Sequence, residues 1–416
     1  MSLCRIFLLF LISTSIHVRV SLSSSMYEKV CTAWSCMKQQ NILHYHESPD
    51  SFLIHRPRSE IPGDAVSEGI GYGLLVSLFC DDQEGFNGLL HGAETSMWNG
   101  KYYDWRVNID HTLLASGGAT DAEQDIAAAL LLADQRVRNG SWENHPPDFY
   151  ATRARVMLDS MWTNGMIETA TPPLFIVRPG YQWGGYHLIN PGYFSPAWYR
   201  LFQEFDPTHD WQGVIDSCYL LLEKSPGYDK GLVPDWMTAE GTYANPNDLG
   251  YNAYGDGKYM FKDGIRILWR IGTDWLWNPS ETRALTFLEN AVRFIGTIDH
   301  ADFYQMDGNR LPEEDVWVFD GGARTRPRRE HSPLTIGMWM VPLVLLSPEN
   351  ETDHSIRVLE SYWTDHKKDG ECYWGWDADP TGNHEDIGHN EMYFDQFLSQ
   401  FGAMTAILIP SKKKNL

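Results

Sequence analysis

The spacing of apolar residues constrains this chain most: they recur at intervals of three and four from one end of the sequence to the other. Trp211, Val214, Ile215, Cys218, Tyr219 and Leu222, for example, share one face of a helix. Period-two alternation, the mark of a half-buried strand, is scarce. Further helices are expected to begin near Ser67, Thr120, Ala151, Phe194, Asp263, Thr282, Ser332 and Glu391, between connections rich in Gly, Pro and Asn. The pattern predicts an all-α chain of many short helices. No low-complexity linker divides it, so residues 26–416 are read as one domain. The longest aperiodic stretches, 238–259 and 301–331, are of a length that compact folds usually keep for function.

The first 25 residues stand apart. Arg5 precedes the apolar run Ile6 to Ile12, and small residues follow from Ser21 to Ser25, the form of a secretory signal peptide. The apolar run is far shorter than the roughly 20 residues that span a bilayer. A secreted, extracellular protein with no membrane segment after processing is expected. The formal net charge is −22, more negative still without Arg5 and Arg19. Such a charge repels nucleic acid and anionic lipid but tolerates a neutral or cationic substrate. The basic run Arg324, Arg326, Arg328, Arg329 and the tail Lys412 to Lys414 read as solvated loop and terminus. Without Cys4 there remain Cys31, Cys36, Cys80, Cys218 and Cys372, an odd number with no CxxC pair. A Cys31–Cys36 disulfide would be open to it in an oxidising compartment. Asn139-Gly140-Ser141 and Asn350-Glu351-Thr352 are glycosylation sequons, meaningful in a eukaryotic host. A monomer is expected.

Three helix starts each carry a carboxylate: Ser67-Glu68-Gly69, Thr120-Asp121-Ala122-Glu123 and Lys262-Asp263-Gly264. Acids favour helix N-termini for a bland reason, since the dipole stabilises them by about 0.3 to 1 kcal/mol. Thr120 with Glu123 also has the form of a capping box. The surrounding segments are what lift these carboxylates above that reading.

Ser67-Glu68-Gly69-Ile70-Gly71-Tyr72-Gly73-Leu74-Leu75 resembles the segment that holds the general acid of glycoside hydrolase family 8. Ala119-Thr120-Asp121-Ala122-Glu123-Gln124-Asp125-Ile126-Ala127 is similar to that family's signature, and Asp263-Gly264-Ile265-Arg266 with Trp269-Arg270 to the segment of its general base. Trp183-Gly184-Gly185, Asn190-Pro191-Gly192-Tyr193-Phe194, Gly231-Leu232-Val233-Pro234-Asp235-Trp236 and Tyr393-Phe394-Asp395 match in order. Several ordered matches are far more specific than one. Departures from the family pattern fall at Glu123, Val137, Gly192, Lys262 and Gly264. Lys262 matters most, because a cation beside Asp263 would hold it ionised.

The resemblance implies an (α/α)6 barrel with a substrate cleft at the N-terminal ends of the inner helices. It implies an inverting hydrolase in which Glu68 protonates the leaving oxygen and Asp263 activates water. Their carboxyls would then lie roughly 6.5 to 9.5 Å apart. Glu68 would need burial or a negative neighbour such as Asp121 to keep its proton. By the same resemblance Asp121 binds the distorted sugar, Tyr193 and Arg266 orient the water and Asp263, and Tyr393 lies in the cleft. Of the 17 Trp, Trp183 and Trp105 are read as sugar platforms, whereas Trp269 and Trp339 have the helical neighbours of core residues.

No cofactor or metal is expected. His384-Glu385 with His389 and Glu391 lacks the i, i+4 spacing of a helical zinc motif, and neither GxGxxG nor GxSxG occurs. The polysaccharide partner implied is a β-1,4-glucan cut internally. The alternatives are a xylanase or reducing-end xylose-releasing exo-oligoxylanase, a chitosanase, a lyase on a similar barrel, or a catalytically silent sugar-binding protein.

Overall fold

Among the described residues twelve α-helices alternate between an inner ring and an outer shell. The computed structural model describes residues 20–408 apart from 41, 46–47, 57–62, 144–147, 171–173, 250–256, 312–316, 321–322, 328–331, 367–370 and 375–392. Among the described residues the inner helices are α2 (Ser67–Phe79), α4 (Thr120–Arg138), α6 (Pro196–Phe205), α8 (Ile267–Trp277), α10 (Pro333–Leu346) and α12 (Tyr393–Leu408). The outer ones are α1 (Val20–Gln40), α3 (Gln83–Ser96), α5 (Phe149–Thr163), α7 (Trp211–Glu223), α9 (Thr282–Ile295) and α11 (Glu349–Ser361). Each inner helix packs on the next, and α12 closes the ring on α2. This is an (α/α)6 barrel.

Burial explains which helices go inside. Every residue of α2 except Glu68 is buried, and α10 buries all but Leu346, so both are apolar all round. α9 buries one stripe, Ala284, Phe287, Leu288, Ala291 and Ile295, and turns its other face to water. Where α10 meets α12 the backbones nearly touch. A Cβ on Gly402 would lie 2.1 Å from the carbonyl oxygen of Gly337, so only glycine permits the approach. Trp339 and Trp269 are buried, as their helical neighbours predict.

The expected helix starts are found within a few residues, at Ser67, Thr120, Phe149, Pro196, Thr282, Pro333 and Tyr393; Asp263 precedes a 3-10 turn, Gly264–Arg266, that runs into α8. α1, α3 and α11 lie outside the expected set, and α1 begins at Val20, overlapping the stretch assigned to the leader. Short strands occupy the connections. β1 (Ile42–Tyr45), β2 (Ser48–Arg56), β3 (Asp64–Val66), β4 (Arg106–Val107) and β5 (Leu113–Ala115) form one antiparallel sheet, and β3 runs straight into α2. The others pair as ribbons: β6 (Ile167–Ala170) with β7 (Leu174–Val177), β8 (Tyr259–Met260) with β9 (Tyr304–Gln305), β10 (Trp317–Asp320) with β11 (Ala323–Pro327), and β12 (Trp363–His366) with β13 (Glu371–Trp374).

Two expectations are corrected here. Cys31 bonds to Cys80, not Cys36; Cys36 is also disulfide-bonded, and Cys218 is free and buried. Cys31 and Cys36 share α1, where five residues turn the side chains about 140° apart and about 7.5 Å along the axis, out of disulfide reach. The capping box at Thr120 is not formed either. The Glu123 carboxylate swings away to accept the Tyr103 N–H at 2.8 Å, and Ala119 occupies the N-cap position. No helix among the described residues is long and apolar enough to cross a membrane.

Candidate active site

Three inner helix starts converge on one buried guanidinium. Arg266 is fully buried, and its Nη1 donates to Glu68 Oε2 at 2.9 Å and to Asp121 Oδ2 at 2.8 Å, while Nη2 donates to Asp263 Oδ1 at 2.5 Å. Glu68, Asp121 and Asp263, separated by up to 195 positions in sequence, therefore meet on one residue three places after Asp263. Their exposure is graded. The Asp121 side chain is 3% exposed, Glu68 18% and Asp263 31%, so the first is walled in and the other two face the opening. Against the effect of its burial, Tyr72 and then Asp263, Asp121 and Glu68 push Arg266 even further above its ordinary range, so it stays charged. The negative neighbour expected for Glu68 is present, but Arg266 Nη1 is bonded to both carboxylates.

Burial pushes the Asp263 carboxyl above the usual carboxylate range, against the pull of Arg266; Asp121 adds to the rise, and Asn190 and Lys262 oppose it. Lys262 does not commit itself to Asp263. Its Nζ lies 3.5 Å from the buried Asp395 of the Tyr393-Phe394-Asp395 segment, so its charge is shared with an acid of another inner helix. Gly192 is required by the same crowding. A Cβ there would lie 2.1 Å from the Asp263 carbonyl oxygen, so serine in its place would displace the segment that carries Asp263.

Tyr193 is buried, with its ring 4.9 Å from the Arg266 guanidinium; burial and the nearby Asp121 raise its phenol well above the ordinary range, so it keeps its proton. Its position is set from α4, since Gln124 Nε2 donates to the Tyr193 carbonyl at 2.8 Å. Two residues without an expected role complete this layer. Tyr72, one turn after Glu68 on α2, accepts from Arg266 Nη1 at 3.2 Å, and Asp235 holds the segment before α8. The i, i+4 spacing of Glu68 and Tyr72 was the signal available for the first.

The family model for "Glycosyl hydrolases family 8" matches residues 18–311. The chain belongs to this family. Among curated family 8 relatives, "Endoglucanase 2" of Ruminiclostridium josui is 32% identical over 262 residues, 62% of this chain and 53% of its own. "Endoglucanase A" of Acetivibrio thermocellus is 31% identical over 257 residues, 60% of this chain and 50% of its own. The chain thus spans about half the length of these relatives. Of solved structures, beta-1,3-1,4-glucanase from Paenibacillus sp. X4 superposes with a TM-score of 0.70 at 20% identity, covering 95% of each chain. Rex8A from Paenibacillus barcinonensis complexed with xylose gives 0.68 at 18%, covering 94% and 95%. At such identities these two structures bear on the fold alone.

Within this family 8 barrel the remaining residues named from sequence are placed unequally. Trp105 is half-buried beside the start of α2: its carbonyl accepts the Ser67 N–H at 3.0 Å, and Arg106 lies over its ring at 5.6 Å. Trp183 is not in the carboxylate cluster. Its ring packs at 5.2 Å on buried Trp236, which in turn lies 6.5 Å from Tyr193, so Trp183 stands two rings away from Arg266. Tyr393 is the first residue of α12, but its side chain lies outside the described residues; the next residue, Phe394, has its ring 5.6 Å from the Arg266 guanidinium. His384, Glu385, His389 and Glu391 lie outside the described residues, and among those described no cluster suited to a metal occurs.

Proposed function

We propose that this chain is a secreted, inverting glycoside hydrolase that cleaves internal β-1,4 linkages of a β-glucan, with Glu68 as general acid and Asp263 as general base. The observation that carries the reading is the convergence of Glu68, Asp121 and Asp263 on buried Arg266, with only Glu68 and Asp263 open to the cleft.

Hydrolysis with inversion passes through an oxocarbenium-like state and needs two carboxyls in opposite protonation states. Asp263, fixed by Arg266 Nη2 and by its own backbone, takes a proton from water as that water attacks the anomeric carbon. Its raised pKa strengthens it as a base and sets the acidic limb of activity above the ordinary carboxylate range. Glu68 delivers a proton to the leaving oxygen from the other side. In the substrate-free state it is ion-paired with Arg266, so that contact gives way when Glu68 takes up the proton it donates. Asp121, sealed from water and paired to Arg266, carries fixed negative charge beside the sugar. Tyr193 offers a proton-bearing hydroxyl to the water. Trp183 and Trp105 supply flat apolar faces for pyranose rings.

The glucan assignment is supported by the endoglucanase names of the relatives at 31–32% identity, against 26% for "Reducing-end xylose-releasing exo-oligoxylanase Rex8A" of Paenibacillus barcinonensis. The Cys31–Cys80 disulfide is consistent with an oxidising, extracellular setting. The reading is tested by proton NMR of fresh products and by kcat/KM on soluble cellulose, lichenan, xylan and chitosan. The α-anomer should appear first, and a glucan should be preferred. Early β-anomer would refute inversion, and a tenfold preference for xylan or chitosan over both glucans would overturn the substrate; weaker activity on xylan is expected, since rejecting one hydroxymethyl group is worth only about 1 to 3 kcal/mol.

A further inference from the structure

Asp235 belongs to a segment that ties two walls of the site together. Its N–H donates to the Tyr259 carbonyl at 2.8 Å, and the Trp236 N–H donates to Gly257 at 2.9 Å. Met237 exchanges both backbone bonds with Ile189, at 3.0 and 2.8 Å. Ile189 leads into Asn190, Gly192 and Tyr193; Tyr259 leads into Phe261 and Asp263. The segment 235–237 is therefore a strut between the strip carrying Tyr193 and the strip carrying Asp263. Side chains alternate along an extended strip. Trp236 meets Trp183 and Tyr193, while Asp235 meets the segment of Asp263.

The contact on that side is specific. Asp235 is 4% exposed, and its Oδ1 accepts two backbone N–H groups, from Phe261 at 2.8 Å and from Gly264 at 2.7 Å. These residues bracket Asp263. From the other side the Asp263 carbonyl accepts Arg266 Nε at 3.2 Å and abuts Gly192. We propose that Asp235 is a positioning residue for the base, fixing the Asp263 carboxyl through the N–H groups of Phe261 and Gly264. The proposal rests on the reading of Asp263 as base. Burial, and then the charge of Asp263, raise Asp235 well above the usual carboxylate range. Asparagine presents the same acceptor oxygen without a charge, whereas alanine presents none.

The test compares Asp235→Ala with Asp235→Asn. A misplaced catalytic group costs up to about a hundredfold, so Asp235→Ala should lower kcat roughly tenfold to a hundredfold. KM should change by less than about threefold, because ground-state binding is untouched. The acidic limb of kcat should move to lower pH as the freed Asp263 carboxyl gains water, and Asp235→Asn should restore both kcat and the limb. A readout without substrate separates this from failure of the hydrolase reading. In protein carrying 13C at aspartate carboxyls, with the Asp263 signal assigned by its loss in Asp263→Asn, the titration midpoint should fall in Asp235→Ala and return in Asp235→Asn. If Asp235→Ala does not fold, Asp235→Ser, whose hydroxyl is too short to reach both N–H groups, takes its place. Unchanged kcat and titration in the alanine or serine variant would overturn the proposal. So would an asparagine variant as impaired as alanine. A wild type inactive on every glycan would instead sink the hydrolase assignment, leaving the titration to decide the role of Asp235.

Discussion

The two ends of the inner ring are chemically opposite. At the end where the inner helices begin, Arg266 holds three carboxylates in a small, mostly buried space. At the end where they finish, an apolar cavity is lined by Leu75, Leu132, Trp198, Trp269, Leu276 and Phe401, with Trp269 stacked on Phe401 at 4.2 Å. The same helices build both. Helix N-termini favour negative charge and C-termini do not, so six parallel inner helices give the barrel one end suited to acids. The ionic groups beyond the apolar end, Arg200 and Arg283 with Asp274 and Glu281, are instead paired off where α8 hands over to α9.

Separating chemistry from stability breaks the comparison most sharply. Glu68→Gln and Asp263→Asn should each lower kcat on soluble β-glucan by at least about a hundredfold. Their circular dichroism should match wild type, and near-wild-type rates in a folded variant would remove that residue from its role. Changes at the other end should do the reverse. Leu132→Ala should cost about 2–5 kcal/mol in denaturant unfolding by opening a void, with kcat per folded molecule unchanged. A fall in kcat would mean that the two ends are coupled through the ring.

Arg266→Met tests the charged end as structure. Removing the cation strands three close carboxylates, so a loss of about 3–5 kcal/mol at neutral pH is expected. The loss should shrink as pH falls and the acids take up protons. A deficit independent of pH would show that lost packing, not stranded charge, sets the cost.

The smallest effect is at the apolar end. Hydrogen bonds from Arg283, and then from Arg200, hold Glu281 down from 4.5 to about 2. A depressed folded pKa stabilises above the unfolded value and loses that stabilisation as pH falls, here between 4.5 and about 2. Solvent screens this pair, so Glu281→Gln should flatten acid unfolding over that window by only about 1 kcal/mol. No change in the slope would mean that the ion pairs contribute nothing measurable.

What could be read from the sequence follows the distance over which each residue acts. Glu68, Asp121 and Asp263 were legible as a group because each stands at a helix start inside a local motif. Tyr193 and Arg266 came with those motifs. Asp235 lay in a matching segment, yet the role proposed for it rests on the N–H groups of Phe261 and Gly264, 26 and 29 positions away, which no periodicity reveals. The partner of Cys31 was hidden for the same reason. α3 contains Gly85, Gly88 and Gly92, packed against Asp82 and Phe52, which mask its helical pattern. α11 is mostly polar, with Thr352, Ser355, Ile356 and Leu359 as its buried residues. The strands of the connections are mostly two to five residues long, too short for alternation to register.

The Cys31–Cys80 bond joins the first outer helix to the end of the first inner one, across 49 positions that include β1, β2, β3 and all of α2. That stretch is a covalent ring. A protease that cuts once between the two cysteines cannot release the N-terminal segment, and the nicked chain keeps its full mass on a gel until a reductant is added. Glu68 sits within this ring, so a single cut before α2 leaves the proposed acid joined to both halves of the chain.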